Sequence, residues 1–595
     1  MNRFTKLIFV MAAAALLTAA TVSAQDDAPT PGTWVPVGGG YTTLHGFVEA
    51  ALPYWETLDT DRFYALMLPM SFTYDPATLT TTDLLDNSWF IDRRRWQLEE
   101  ACRDVMEENS LDADCRVVAP PIYTREAAED ELALDFFADD LAAVYFPGGD
   151  QVFAMQITAG TPLETTLAEA FERGVVMGGN SAGLAMQAVN MIAGYGEEYD
   201  ENTALQEGAV VLWNNADGDE RGLSFGVENV LLEQHLWEFV RTPRLLNYLA
   251  LADSPDVAIG VDGYTAGILR DETTFGEIFG DYSAAVFDAA TLGAADNANF
   301  DYVNFDGNAI LSMHNVLVHV LPPGDFSYDI PSRAPSQADL LTEVDRSFDL
   351  SLPDSAGMLL LGGADARSLH ENLADASIAI VVTGYPEDEL QAVAESFEGY
   401  YVIPLGEGDS LDGQLDNIQF ISVYAGDQTL LNPEQLAPVR DAWLNGANVS
   451  LMGAAAALAG PEFAANPPVD YDNDESDVLE AHDQGSFILG NTNIQPGLGL
   501  IKANVEPSLI DNNRFGRLFA LAYNNPAVLA VGIPSDASVQ FNSDGVFVPV
   551  HSGNGVFVLD LSQAALDLGE NDAFAFANGL LDVFAPGETL EAVNP

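Results

Sequence analysis

The sequence predicts an α/β protein made of two tandem copies of one domain, each a parallel sheet flanked by helices. Three observations carry that expectation. The chain has 595 residues, more than one core ordinarily serves. Short apolar runs suited to buried strands alternate with amphipathic helical stretches. The second half also repeats the first, motif by motif.

The chain begins MNRFTKLIFVMAAAALLTAATVSAQDD. Arg3 and Lys6 precede an apolar run, and Val22-Ser23-Ala24 supplies small residues for cleavage. Residues 1–24 therefore read as a signal peptide of a secreted or periplasmic protein. No later stretch is apolar enough to suggest a membrane anchor. Hydrophobic residues make up 48% of the chain, which marks globular material rather than disorder. The formal net charge is −70 and is spread along the chain. Such a surface repels nucleic acid and anionic lipid, and its simplest role is solubility. Cys102 and Cys115 are the two cysteines. In an exported protein they could form one disulfide, with buried free thiols as the alternative. Two cysteines cannot build a zinc site and no HExxH occurs, so no metal is expected.

The repeat sets the domain boundaries. AAVYFPGGDQVFAM (142–155) has a counterpart in QFISVYAGDQTLL (419–431), and each is followed by a polar helical segment. Next come VVMGGNSAGLAM in the first copy and VSLMGAAAALAG in the second. LLEQHLWEFVRTPRLLNYLAL (231–251) then aligns without a gap on NVEPSLIDNNRFGRLFALAYN (504–524). Glu233 falls on Glu506, Arg241 on Arg514 and Arg244 on Arg517. The expected organisation is a first copy over 25–325, a Pro/Ser/Asp-rich linker over 326–356 and a second copy over 357–595.

Gly179-Asn180-Ser181-Ala182-Gly183 fits G-x-S-x-G between a strand and a helix. Such a turn exposes a serine hydroxyl, and the following helix start offers amides to an oxyanion. A tight turn with an idle serine is the plain alternative. His235 is the best candidate for the base. In the second copy Ala455-Ala456-Ala457 stand where the first has Asn180-Ser181-Ala182, and Ser508 stands for His235. Serine and histidine are thus absent together, as expected for residues that work as a pair. A carboxylate should orient the histidine. Glu197, Glu198 and Glu201 are candidates, with Glu198 taken as the third member, and Glu233 is a further acid in reach. The sequence does not choose among them.

FPGGDQ, GGNSAGLAM and LLEQHLWEFVRTPRL, in that order and spacing, resemble the cyanophycinase branch of the S51 serine peptidases, a family that includes peptidase E. The resemblance covers about residues 34–325. It implies a class I glutamine amidotransferase-like, flavodoxin-like fold with Ser181 as nucleophile and His235 as base. It further implies substrate contacts from Gln151, Glu233, Gln234, Arg241 and Arg244, and an oxyanion hole near Gly149 and Ala182. The reaction would need no metal or organic cofactor. The substrate would be cyanophycin or a related Asp/Arg-containing peptide. Glu233 replaces the family's Asp, and Phe239 replaces one of three basic positions, which bears on substrate more than on hydrolysis. The second copy would act as the other half of an intramolecular pseudo-dimer, with Arg514 and Arg517 assisting substrate. A non-catalytic peptide-binding protein on the same scaffold, or an exported aspartyl dipeptidase, is the competing expectation.

Weaker signals have plain readings. DYDNDESD (470–477) lacks the Gly and Glu of a calcium loop and reads as a solvated insertion. WNNADGDERG (213–222) reads as a surface loop that could serve as a lid. His314 and His319 lie in a strand-like run and read as structural.

Overall fold

A computed structural model describes residues 32–592, apart from 73, 216–217, 290–299, 306, 340, 342–345, 363–376, 398, 467–484, 543–544 and 550–551. The segment expected to be a signal peptide and the DYDNDESD segment lie outside the described residues. So does most of the stretch at 359–369 that aligns with residues 34–44 as the start of an expected second copy.

Among the described residues, three large sheets organise the chain. The first has nine strands. From one edge they are Asp114–Val118, Arg62–Met67, Leu141–Phe146, Val176–Asn180, Thr33–Val37, Thr265–Arg270, Thr274–Gly280, Gly324–Asp329 and Ala334–Pro335. The first five run parallel and the rest are antiparallel. A seven-stranded sheet is ordered Tyr401–Pro404, Ile378–Thr383, Phe420–Ala425, Asn448–Gly453, Leu359–Gly362, Ser538–Asn542 and Gly545–Phe547. Its first five strands are again parallel and its last two antiparallel. The expectation of purely parallel sheets therefore needs correcting: the fold is α/β with mixed sheets. Residues 265–280 fold as strands joined by a short turn, and such a connection permits only antiparallel pairing.

A third sheet of ten strands joins the halves. Its path runs Leu231–Gln234, Val257–Val261, Ala284–Asp288, Asn308–Leu321, Phe574–Phe584, Val556–Asp560, Leu529–Ile533 and Ala503–Pro507. Both outer pairs are parallel, and the inner pairings are antiparallel. Asn308–Leu321 pairs directly with Phe574–Phe584 at the centre. One apolar core draws on both halves here, with Trp237, Leu245 and Phe287 packed in the same cluster as Phe487, Phe519 and Phe576.

The segment expected to be a linker from 326 onward is structural. Gly324–Asp329 and Ala334–Pro335 close the edge of the first sheet. Arg333 forks onto the buried Asp288, which also accepts the Tyr328 hydroxyl. Arg346 is itself buried and pairs with Asp582 and Asp560 of the second half. Where the segment is described, these ion pairs tie it down despite its Pro/Ser/Asp composition.

Local chemistry sets the helices that position the site. Thr80 and Asp83 form a capping box that starts Thr81–Glu108. Cys102 of that helix is disulfide-bonded to Cys115 of the neighbouring edge strand, with Cα atoms 6.0 Å apart. Asp150 caps Gln151–Thr158 by accepting from the Phe153 amide at 3.1 Å. Among the described residues, no helix is long and apolar enough to cross a membrane.

Candidate active site

Ser181 follows strand Val176–Asn180 and starts the short helix Ala182–Ala185. Its backbone lies at φ 53°, ψ −119°, a strained conformation for a residue with a side chain. Neighbouring positions leave no room for side chains. A Cβ on Gly179 or Gly183 would come within 2.4 Å or 2.0 Å of the Phe146 carbonyl oxygen. The turn is tied to the adjacent strand by the Ser181 amide, which donates to the Val37 carbonyl at 3.1 Å. Asn180 braces it from the other side: its Oδ1 accepts from the Tyr145 hydroxyl at 3.2 Å and from the Gly148 amide at 3.1 Å.

The counterpart of this elbow in the second half is not Ala456. Gly453 ends strand Asn448–Gly453 at φ 60°, ψ −136° and starts the next helical turn. The alignment to Ala455-Ala456-Ala457 is therefore displaced. The second-half strand ends earlier than its small-residue run suggests, and a run of alanines gives an alignment nothing to hold. The downstream alignment agrees with the structure. Glu233 pairs with Gly260 of the next strand as Glu506 does with Gly532, and His235 and Ser508 both have positive φ, 50° and 56°.

His235 lies at the end of strand Leu231–Gln234 and stands over the first strand's loop. A Cβ on Gly39 would meet its Cε1 at 2.4 Å, so only glycine fits beneath the ring. Its Nδ1 is hydrogen-bonded to Glu238 Oε2. Glu238 is the carboxylate that meets the histidine, in place of Glu198. Glu197, Glu198 and Glu201 are all exposed around the turn after strand Met191–Tyr195. The reason is local: at φ 50°, His235 turns the chain back on itself and brings the residue three positions later against its own ring. Asp262 accepts from the amides of Trp237 and Glu238 at 3.0 and 2.9 Å and so fixes the loop. Phe239 stacks on the imidazole with centroids 4.5 Å apart. Sequence reasoning missed Glu238, Asp262 and the role of Phe239. The one available signal was the acid at three residues beyond His235.

The other sequence-predicted residues divide. Glu233 is fully buried and takes Arg244 in a bidentate pair at 2.7 and 2.6 Å. Burial alone would pull the Arg244 guanidinium down, but Glu233 outweighs it and holds it well above its ordinary range. Glu233 Oε1 also accepts from the Gln234 amide at 3.0 Å, so both of its carboxylate oxygens are engaged. Arg241 differs: burial first, then the charge of Arg244, pull it down, and its Nε has no hydrogen-bond partner. It lies 5.5 Å from the Phe239 ring and 5.8 Å from that of Tyr195. Gln234 is buried beside this group. Gln151 is held through its Nε2 by the Ile192 and Ala193 carbonyls, at 3.0 and 3.4 Å. Gly149 has φ 153°, and a Cβ there would meet the Ser71 carbonyl at 1.8 Å. In the second half Gln428 Oε1 accepts from both Arg514 and Arg517 at 3.1 Å, while its Nε2 donates to Glu506. Arg514 and Arg517 are thus drawn into a closed buried cluster, which argues against their assisting substrate. WNNADGDERG is anchored rather than loose at its end: buried Arg221 forks onto Glu164 at 2.6 and 2.9 Å.

No family model matches the chain. It is similar to the cyanophycinase of Geminocystis herdmanii, 28% identical over 194 residues, which is 32% of this chain and 63% of that protein. It is also similar to the cyanophycinase of Trichormus variabilis, 28% identical over 186 residues, 31% of this chain and 56% of that protein. The chain thus spans 63% and 56% of the length of these relatives. Among solved structures it resembles a peptidase from an acI-B1 Actinobacterium, at 18% identity and a TM-score of 0.31, covering 44% of this chain and 91% of that one. A peptidase E-type protein from Listeria monocytogenes matches at 12% identity and a TM-score of 0.24, covering 42% and 97%. By sequence, over 32% of its length, the chain is similar to cyanophycinases.

Proposed function

We propose that the protein is an exported serine hydrolase of cyanophycinase type that cleaves cyanophycin or related aspartyl peptides. One observation carries this reading. A strained serine elbow is hydrogen-bonded to Val37 at the end of strand Thr33–Val37, and a histidine already engaged by a carboxylate packs over Gly39, two residues further on. Ser181 Oγ attacks the scissile carbonyl while His235 takes its proton and then returns it to the leaving amine. Glu238 holds Nδ1–H, so that Nε2 is the nitrogen left for proton transfer. Backbone amides at Gly149 and Ala182 hold the oxyanion, an arrangement in which one donor is typically worth about 10²–10³ in rate. Water then attacks the acyl-enzyme by the same route in reverse.

Arg241 is the group suited to a substrate carboxylate, because Arg244 is committed to Glu233. The second half is a copy of the first that has lost its chemistry, with Gly453 at the elbow and Ser508 at the base position. Matching strand order in the two outer sheets and the palindromic central sheet support that reading. The shared sheet makes the two copies an intramolecular pseudo-dimer.

The test is release of dipeptide from cyanophycin and cleavage of β-aspartyl-arginine by the mature protein, beside Ser181→Ala. Turnover by the wild type alone is the expected result. Equal turnover by both proteins would remove Ser181 from the mechanism.

A further inference from the structure

The loop that carries His235 and Glu238 is gripped by the other half of the chain. Trp237, between the two, is 1% exposed and its ring stacks on Phe487 with centroids 3.9 Å apart. Phe519 closes the other side of Trp237 edge-on at 5.9 Å. Asn513, also from the second half, points its Nδ2 at the same loop. It donates to the Trp237 carbonyl and reaches the Glu238 carbonyl at 3.4 Å.

The backbone of the loop is thus held from both sides. Its amides at Trp237 and Glu238 go to Asp262 of its own half, and its carbonyls face Asn513 of the other half. The loop needs such support. His235 at its start and Val240 at its end both have positive φ, 50° and 52°, without being glycine. Backbone held in that region persists where surrounding contacts over-determine it.

The arrangement is not reciprocal. In the gap-free alignment, Asn513 stands where the first half has Val240, and both precede the paired Arg514 and Arg241. Both adopt positive φ, 44° and 52°. Valine has no side-chain donor, so the first half cannot return the contact. The half that has glycine at the elbow and serine at the position of His235 is the half that supplies the donor.

We infer that Asn513 is a positioning residue, contributed by the second half, that sets the Glu238–His235 hydrogen bond of the first. The inference rests on the hydrolase reading for its consequence in turnover, though not for its geometry. It gives the second half a task beyond packing: it fixes where Glu238 meets the imidazole.

Asn513→Gly tests this directly, because glycine accepts the positive φ and removes only the side chain. Asn513→Asp is the second variant, of the same shape but without a donor for carbonyls. Two readouts are taken on the full chain. One is the rate at which a fluorophosphonate labels Ser181, with Ser181→Ala as the blank. The other is the low-field proton resonance of the His235–Glu238 hydrogen bond, identified by its loss in Glu238→Gln. Expected for both Asn513 variants is labelling at least about tenfold slower, a part of the roughly 10²–10⁴-fold that a well-placed general base contributes. The low-field resonance should be lost while the thermal midpoint is retained. Wild-type labelling together with a wild-type resonance would overturn the inference. If the wild type itself is not labelled, the hydrolase reading fails. The resonance then decides alone: kept in Asn513→Gly it overturns the inference, and lost it upholds it.

Discussion

Ser181 and Gly453 end corresponding strands in nearly the same backbone conformation, φ 53°, ψ −119° and φ 60°, ψ −136°. One half has a side chain where the other has glycine. That side chain has a cost, since a residue with a Cβ in such a region is strained by about 1–3 kcal/mol. Glycine returns about 0.5–1 kcal/mol of this as entropy lost on folding. Ser181→Gly is therefore expected to be more stable than Ser181→Ala by about 1 kcal/mol, with neither variant hydrolysing peptide. Urea unfolding of the two variants measures it. A glycine variant no more stable than the alanine variant would show that the elbow is not strained.

Glu238 is expected to be the acid of the catalytic group. Its replacement by Gln leaves the shape but lets the imidazole settle in the wrong tautomer, a change that costs about 10⁴ in kcat in a serine protease of known mechanism. Glu238→Gln should lose about 10²–10⁴ in kcat with KM little changed. Glu198→Gln, at an exposed turn, should stay within about twofold of wild type. A large loss in Glu198→Gln would reverse the assignment made from the geometry.

What could be read in the sequence follows from which interactions are local. Strands such as Leu141–Phe146 and the elbow at Ser181 announce themselves by composition and by glycine spacing, because sterics act over a few residues. His235 and Arg244 were legible through the repeat. Glu238 was not, because a positive φ at His235 brought it back against the ring, and no side chain in LEQHLWE signals that turn. Nor could the sequence tell that Arg244 is spent on Glu233 while Arg241 is not. Both arginines recur in the second half, but what each one meets depends on distant chain. The order of residues 326–335 was hidden for the same reason: Asp288, which holds Arg333, is remote in sequence.

The Glu233–Arg244 pair should matter to folding more than to chemistry. Both side chains are buried, and the Arg244 Nε and Nη2 each donate to one carboxylate oxygen of Glu233. Glu233→Gln leaves Arg244 charged and uncompensated, a change that typically costs about 3–5 kcal/mol. The double replacement Glu233→Leu with Arg244→Met should recover much of that loss, because desolvation of both charges is then avoided. Urea midpoints of the single and double variants check it. A single variant as stable as wild type would mean that water reaches the pair.

Two histidines on strand Asn308–Leu321 should give stability opposite dependences on pH. Burial would lower His314, but Asp582 and Glu588, each 3.8 Å away, raise it from 6.5 to about 9. His319 is fully buried, accepts from the Asn578 amide and is lowered from 6.5 to about 4. A raised folded value means that folding binds a proton more tightly. The His314 contribution is therefore complete below 6.5 and is lost as pH rises through about 9. A lowered value has the reverse effect. His319 favours folding fully above 6.5, and that share is lost as pH falls toward about 4. Each shift corresponds to about 3 kcal/mol at most. His314→Gln should flatten the fall in stability between pH 7 and 9, and His319→Gln should reduce the fall between pH 6.5 and 4.5. Urea unfolding across this range reads both. An alkaline slope that is unchanged in His314→Gln would show that Asp582 is satisfied by Arg346 alone, and that the histidine beside it is a bystander.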